Sequence, residues 1–239
     1  MTQETHEEPY RRGMVVVAHP DDAEFGCSGT VAKWCREGME VVYVIVTDGS
    51  KGTSDREITP KQLSEMRHRE QVAAGKVLGL KDVVFLGHPD AYLQPTLEVR
   101  RDIAREIRRY RPDILITLSP MRNLNINGYL GHPDHLAVGE ATLSAVYPAA
   151  RDHLTFPELL KEGLEPHKVR EVLIQGHESP DKWIDVTGTI EIAIQALRTH
   201  TSQVEGREIE ERMRQWRREA GKDHGMEYAE AFKQFILRQ

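Results

Sequence analysis

The chain has 239 residues, 39% of them hydrophobic, and a formal net charge of −6. That is enough apolar material to bury a sizeable core in a single domain spanning residues 1–239. Basic residues are interleaved with acidic ones, which removes the electrostatic footprint of a nucleic-acid binder, and no apolar stretch approaches the length of a membrane span.

In chain order, residues 1–12 are polar, lack an apolar signal core and read as a flexible extension. Residues 14–18 are the first apolar run of strand type, ending at His19. A helix follows over residues 29–37, with Gly38 as its C-cap. Cys27 and Cys35 lie eight residues apart on that helical stretch. Eight helical residues rise about 12 Å, beyond disulfide reach. Free thiols in a reducing cytoplasm are therefore expected.

The second strand is predicted over residues 41–47 and ends at Asp48-Gly49, the third over 83–86 and ends at Gly87, and the fourth over 113–118 and ends at Ser119-Pro120. Helices are predicted between them over 60–78, closed by Gly79, and over 95–110, broken by Arg111-Pro112. Residues 119–131 form a long Asn- and Gly-rich connection, a candidate substrate loop. A fifth strand is expected over 169–175 and a sixth over 183–186. Residues 188–238 are expected to be mostly helical, one face on the sheet and the other toward solvent or a neighbouring subunit of a homo-oligomer.

Continuous β-branched runs alternating with helices predict an α/β fold: a Rossmann-like, mostly parallel sheet with helices on both faces and a helical C-terminal segment. Ligands of such sheets bind at the carboxyl ends of the strands. Two motifs fall at those ends, His19-Pro20-Asp21-Asp22 and His132-Pro133-Asp134-His135. In each, side chains three positions apart turn toward one point across a proline that limits the backbone. Two imidazoles and a carboxylate make a three-ligand metal set that leaves a position open for water, with an Asp and a His to spare for proton transfer. A third turn, His88-Pro89-Asp90, lacks the following ligand and reads as a decoy for the metal, although Asp90 suits a polyol substrate. Gly26-x-Ser28-Gly29 reads as small residues that let a helix approach the sheet, and only weakly as a phosphate loop.

The segment AHPDDAEFGCSGT, the VTDG turn, Arg67-x-x-Glu70 before VLGL, the GHPDH turn and the late His200-x-Ser202-Gln203 together resemble the LmbE-like, or PIG-L, deacetylases. The resemblance runs from about Met14 to Gln203. It implies a zinc-dependent hydrolase, other divalent ions also being accommodated, that removes an acetyl group from a small amino-sugar substrate containing N-acetylglucosamine. By the same resemblance His19, Asp22 and His135 bind the metal, Asp21 is the general base, and His132 stabilises the oxyanion and assists the leaving amine. Asp134 is then expected to hold His132 charged, since a carboxylate partner raises an imidazole pKa. Arg67 becomes a candidate substrate contact. Family members of the mycothiol pathway carry a tyrosine where this chain has Leu130, and the nearest tyrosine is Tyr129: either the loop brings Tyr129 to the substrate, making it a candidate substrate contact, or the enzyme lacks that group. Two other readings remain: an amidase of the same fold acting on a thiol conjugate or natural product, and a non-catalytic anion- or nucleotide-binding α/β module.

Overall fold

The computed structural model describes residues 8–125, 130–206 and 208–238. One sheet is built from β1 (Arg12–Val17), β2 (Glu40–Thr47), β3 (Asp82–His88), β4 (Ile114–Leu118), β5 (Glu171–Gln175), β6 (Lys182–Asp185) and β7 (Ala229–Ile236). Its strand order is β3-β2-β1-β4-β5-β7-β6. The first five strands pair in parallel. Every residue of β4 and β5, and nearly all of β1 and β2, is buried. Sandwiching by helices explains the continuous Val and Ile runs, each such side chain contributing about 1.5–3 kcal/mol on burial.

The helices form two layers. α2 (Ser28–Arg36), α3 (Pro60–Leu78) and α7 (Ile190–Arg198) pack together, while α4 (Leu97–Tyr110) packs with α5 (Pro133–Ser144). The ends of α3 follow local chemistry. Thr59 and Gln62 form a reciprocal capping box, Pro60 opens the first turn, and Gly79 closes the helix at φ +80°. A second, smaller apolar cluster joins Ile190, Ile194 and Leu197 of α7 to Ile209 and Met213 of α9 (Ile209–Gly221) and to Tyr228.

The expected helical C-terminal segment is there, with one strand added at its end. Helices α7 and α9 are present, but the segment ends in β7, which runs antiparallel between β5 and β6. Its sequence, AEAFKQFI, alternates poorly because Glu230 is buried beside Ala229. That carboxylate has internal partners. It accepts the amides of Gly29 (3.0 Å) and Thr30 (2.8 Å) at the start of α2 and pairs with Arg217 Nε at 3.1 Å. A side-chain anion therefore occupies the helix N-terminus that Gly26-x-Ser28-Gly29 offered to a phosphate. A Cβ on Gly29 would lie 2.8 Å from Val186 Cβ, so that glycine serves close approach, as expected.

Residues 1–7 of the expected extension lie outside the described residues. Of residues 8–12, Glu8, Pro9 and Arg11 are exposed, but the segment is tethered to the sheet: the Arg11 and Arg12 amides donate to the Asp113 carboxylate at 2.8 and 3.0 Å. Cys27 and Cys35 are free thiols. No helix among the described residues is long and apolar enough to cross a membrane.

Candidate metal centre

β1 and β4 are neighbours, but the chain leaves β1 toward β2 on one side and β4 toward β5 on the other. A crevice opens at such a switch point. β1 delivers His19 to Asp22 into it, the latter opening the short helix α1 (Asp22–Gly26), and the connection after β4 delivers His132 to His135 at the start of α5. Gly139 brings α5 close enough, since a Cβ there would lie 2.5 Å from the Leu118 carbonyl oxygen.

Asp22 lies between the two turns. Its Oδ2 is 3.4 Å from His19 Nδ1 and its Oδ1 is 3.0 Å from His135 Nε2. Ligand atoms of His19, Asp22 and His135 all fall within 4.8 Å of one another, so the expected ligand set is brought together. The outer nitrogen of His19, Nε2, faces Asp90 Oδ1 at 3.1 Å and Asp134 Oδ2 at 3.2 Å. Carboxylates behind a ligating imidazole fix its tautomer and orientation.

Electrostatics test whether a cation fits. Burial alone would lower the pKa of His19, but Asp22, Asp134 and Asp90 outweigh it and push the ring up to about 12. Burial likewise opposes ionisation of Asp22, yet His135 and His19 hold its carboxyl well below the usual range. A histidine kept protonated by surrounding carboxylates marks surplus negative charge. A divalent cation replaces that proton and answers the charge, and an N,N,O donor set suits zinc among other ions.

Asp21 stands beside this set, at φ +95° and ψ −25° as the N-cap residue of α1. For a residue with a side chain that left-handed conformation costs about 1–3 kcal/mol, and such strain concentrates at functional sites. Burial raises its carboxyl pKa to about 7, against the pull of Arg67 and with the push of Asp22.

His132 is the N-cap of α5, its Nδ1 accepting the Asp134 amide at 3.2 Å, and its ring centroid is 4.7 Å from that of His19. Asp134 does not hold His132 as expected. Its carboxylate lies within 4.8 Å of a His132 ring nitrogen but is engaged elsewhere, accepting the amides of Ala91 (2.7 Å) and Leu93 (3.2 Å) and facing His19. Burial, then the neighbouring His19 charge, lower the His132 pKa.

The candidate substrate contacts move too. Arg67 is buried and commits Nη1 to the Gly49 and Lys51 carbonyls and Nη2 to the Pro20 carbonyl, 3.5 Å from Asp21 Oδ2. Asp90 is buried between His19 and the Lys51 amide, which donates to it at 2.9 Å. In this conformation both shape the floor beneath the ligands instead of facing a substrate. Tyr129 lies outside the described residues, and Leu130 is exposed. Arg67 and Glu70 do not pair; Glu70 accepts from Thr201 and Ser202.

Two buried residues behind the site, Glu24 and Gln71, were missed by sequence reasoning. A signal existed on α3, where Arg67 and Gln71 share the buried stripe of Leu63, Ala74 and Leu78. Polar side chains on a core-facing stripe need internal partners.

Residues 14–146 match the family described as PIG-L: GlcNAc-PI de-N-acetylase. The chain is 34% identical over 193 residues to the diacetylchitobiose deacetylase of Thermococcus kodakarensis, covering 81% of this chain and 70% of that protein. It is 29% identical over 212 residues to the probable N-acetyl-alpha-D-glucosaminyl L-malate deacetylase 2 of Bacillus subtilis, covering 84% and 88%. The N,N'-diacetylchitobiose deacetylase of Pyrococcus horikoshii superposes with a TM-score of 0.86 at 27% identity, over 95% of this chain and 84% of that one. With its two His-Pro-Asp turns converging on one point at the switch of a Rossmann-like sheet, this chain belongs to the PIG-L family.

Proposed function

We propose that the protein is a zinc-dependent hydrolase that removes the acetyl group from a small molecule containing N-acetylglucosamine. The observation that carries this reading is the convergence of His19, Asp22 and His135 with the carboxylate of Asp21 beside them, paired with Arg67 but making no cap of its own helix. The names of the similar proteins support the amino-sugar substrate class. A divalent ion held by His19, Asp22 and His135 supplies Lewis-acid polarisation and lowers the pKa of water toward ~7.

The chain's own residues divide the remaining work. Asp21 takes a proton from the attacking water, whose oxygen bonds to the amide carbon. His132 accepts the Asp134 amide on Nδ1, so the proton of the neutral ring sits on Nε2. It therefore acts as a hydrogen-bond donor to the developing oxyanion. Asp21 then passes its proton toward the nitrogen of the departing amine, and His132 assists that departure from beside the oxyanion. The C–N bond breaks, the amine leaves carrying the proton returned by Asp21, and the acetic acid that keeps the second water proton leaves as acetate once it passes that proton to the amine or to solvent.

The anion seat that a binding module would use at α2 is filled by Glu230, which disfavours the non-catalytic reading. Elemental analysis of purified protein, joined to release of acetate from N-acetylglucosamine and diacetylchitobiose, tests the proposal. Chelation should abolish release and added zinc restore it. Protein that binds no divalent ion, or loaded protein that cleaves no N-acetyl amide, would overturn it.

A further inference from the structure

Asp21 is placed by its backbone, and the backbone is held from behind. Its amide donates to Gln71 Oε1 at 3.1 Å; Gln71 Nε2 donates to Glu24 Oε1 at 3.0 Å; Glu24 Oε2 faces His200 Nε2 at 3.2 Å. Gln71, Glu24 and His200 are each 0% exposed and come from α3, α1 and the turn after α7. None of them belongs to the metal set, and burial removes them from any substrate.

We propose that Gln71 is the positioning residue of Asp21, and that Glu24 and His200 fix the direction of its amide; this rests on Asp21 being the base of the proposed reaction. An amide side chain has an accepting end and a donating end. Only the accepting end suits the Asp21 N–H. Glu24, a pure acceptor when ionised, draws the donating end to itself and so leaves Oε1 facing Asp21. His200 sets a positive partner 3.2 Å from the far oxygen of Glu24, an ion-pair contact and not an aligned hydrogen bond. With Gln71 removed, the Asp21 amide becomes a buried donor without an acceptor in a disfavoured conformation, and the residue relaxes away from φ +95°. The base is then displaced while the ligands remain.

Gln71→Met, which keeps volume and removes both hydrogen bonds, tests this, with Gln71→Asn as the milder companion if the first folds poorly. Displacement of a reacting group by about an ångström lowers kcat by about ten- to a hundredfold, with KM and bound metal changed less than about twofold. In an Asp21→Asn background the same change should lower kcat by less than about twofold, because the group it positions is already lost. The Asp21 amide should exchange its hydrogen at least about tenfold faster in the folded variant. Full additivity with Asp21→Asn, or unchanged protection of that amide, would overturn the proposal. The exchange measurement needs no turnover. Wild-type protein without deacetylase activity thus removes the proposed function, while the holding of Asp21 is still decided.

Discussion

The two His-Pro-Asp turns carry nearly the same residues and do different work with them. In both, the fourth residue, Asp22 or His135, points to the shared centre. The third residue diverges. Asp21 sits at φ +95° outside α1 with its carboxylate beside the ligands, whereas Asp134 lies inside the first turn of α5, fully buried, its oxygens on Ala91, Leu93 and His19. The first residue diverges as well: His19 has both ring nitrogens among carboxylates, while His132 caps a helix with Nδ1. Backbone conformation, more than residue type, sets the role of each position. The left-handed turn leaves the Asp21 carboxylate beside the cluster with Arg67 as its partner, whereas the helix start draws Asp134 onto backbone amides as a brace.

The largest effect should come where the turns agree. His135→Ala and Asp22→Ala should each abolish metal retention on dialysis and lower turnover by about four orders of magnitude. A variant keeping both metal and activity would break the assignment of the shared fourth position. Next comes the third position, where the turns are expected to part. Asp21→Asn should lower kcat by about two to four orders of magnitude with metal affinity and Tm retained. Asp134→Asn should instead weaken metal affinity about ten- to a hundredfold through His19 and cost about 1–3 kcal/mol of stability. Metal titration and thermal unfolding of the pair decide it, and matching profiles would erase the distinction.

The smallest effect concerns the support behind the first turn. Burial lowers the pKa of His200, but the neighbouring Glu24, Asp21 and Glu70 carboxylates together outweigh this and hold it above the ordinary value. A raised folded pKa contributes stability that is fully present below about pH 6.5 and is lost as pH rises through the folded value. The difference in unfolding free energy between wild type and His200→Gln should therefore shrink as the pH is raised. A constant difference would assign His200 to packing alone.

Much of this was legible in the sequence. The parallel strands announced themselves because burial on both faces demands unbroken apolar runs, and proline-bounded turns at their ends picked out the side chains that the fold brings together. The direction of Asp134 was not legible: whether its carboxylate met His132 or His19 depended on where the connection after β3 placed the Ala91 and Leu93 amides. Asp90 looked like a decoy because its partner, His19, lies 71 positions away in the chain and adjacent only through the sheet. β7 escaped because a buried Glu230 hides the two-residue alternation a strand should display. That glutamate reads as surface charge until its helix is in view.

The same glutamate orders events in time. Glu230 completes the start of α2, and Arg217, which pairs with it, also donates to the Phe25 carbonyl at the end of α1. The segment bearing the first ligands is made early on the ribosome, yet its anchoring waits until residue 230 has emerged. A nascent chain halted before β7 would carry every candidate ligand, yet the α1–α2 segment that follows His19 and Asp22 would lack both the anion at the start of α2 and the Arg217 bond to Phe25, so tight metal uptake should follow the last strand into the sheet and not precede it.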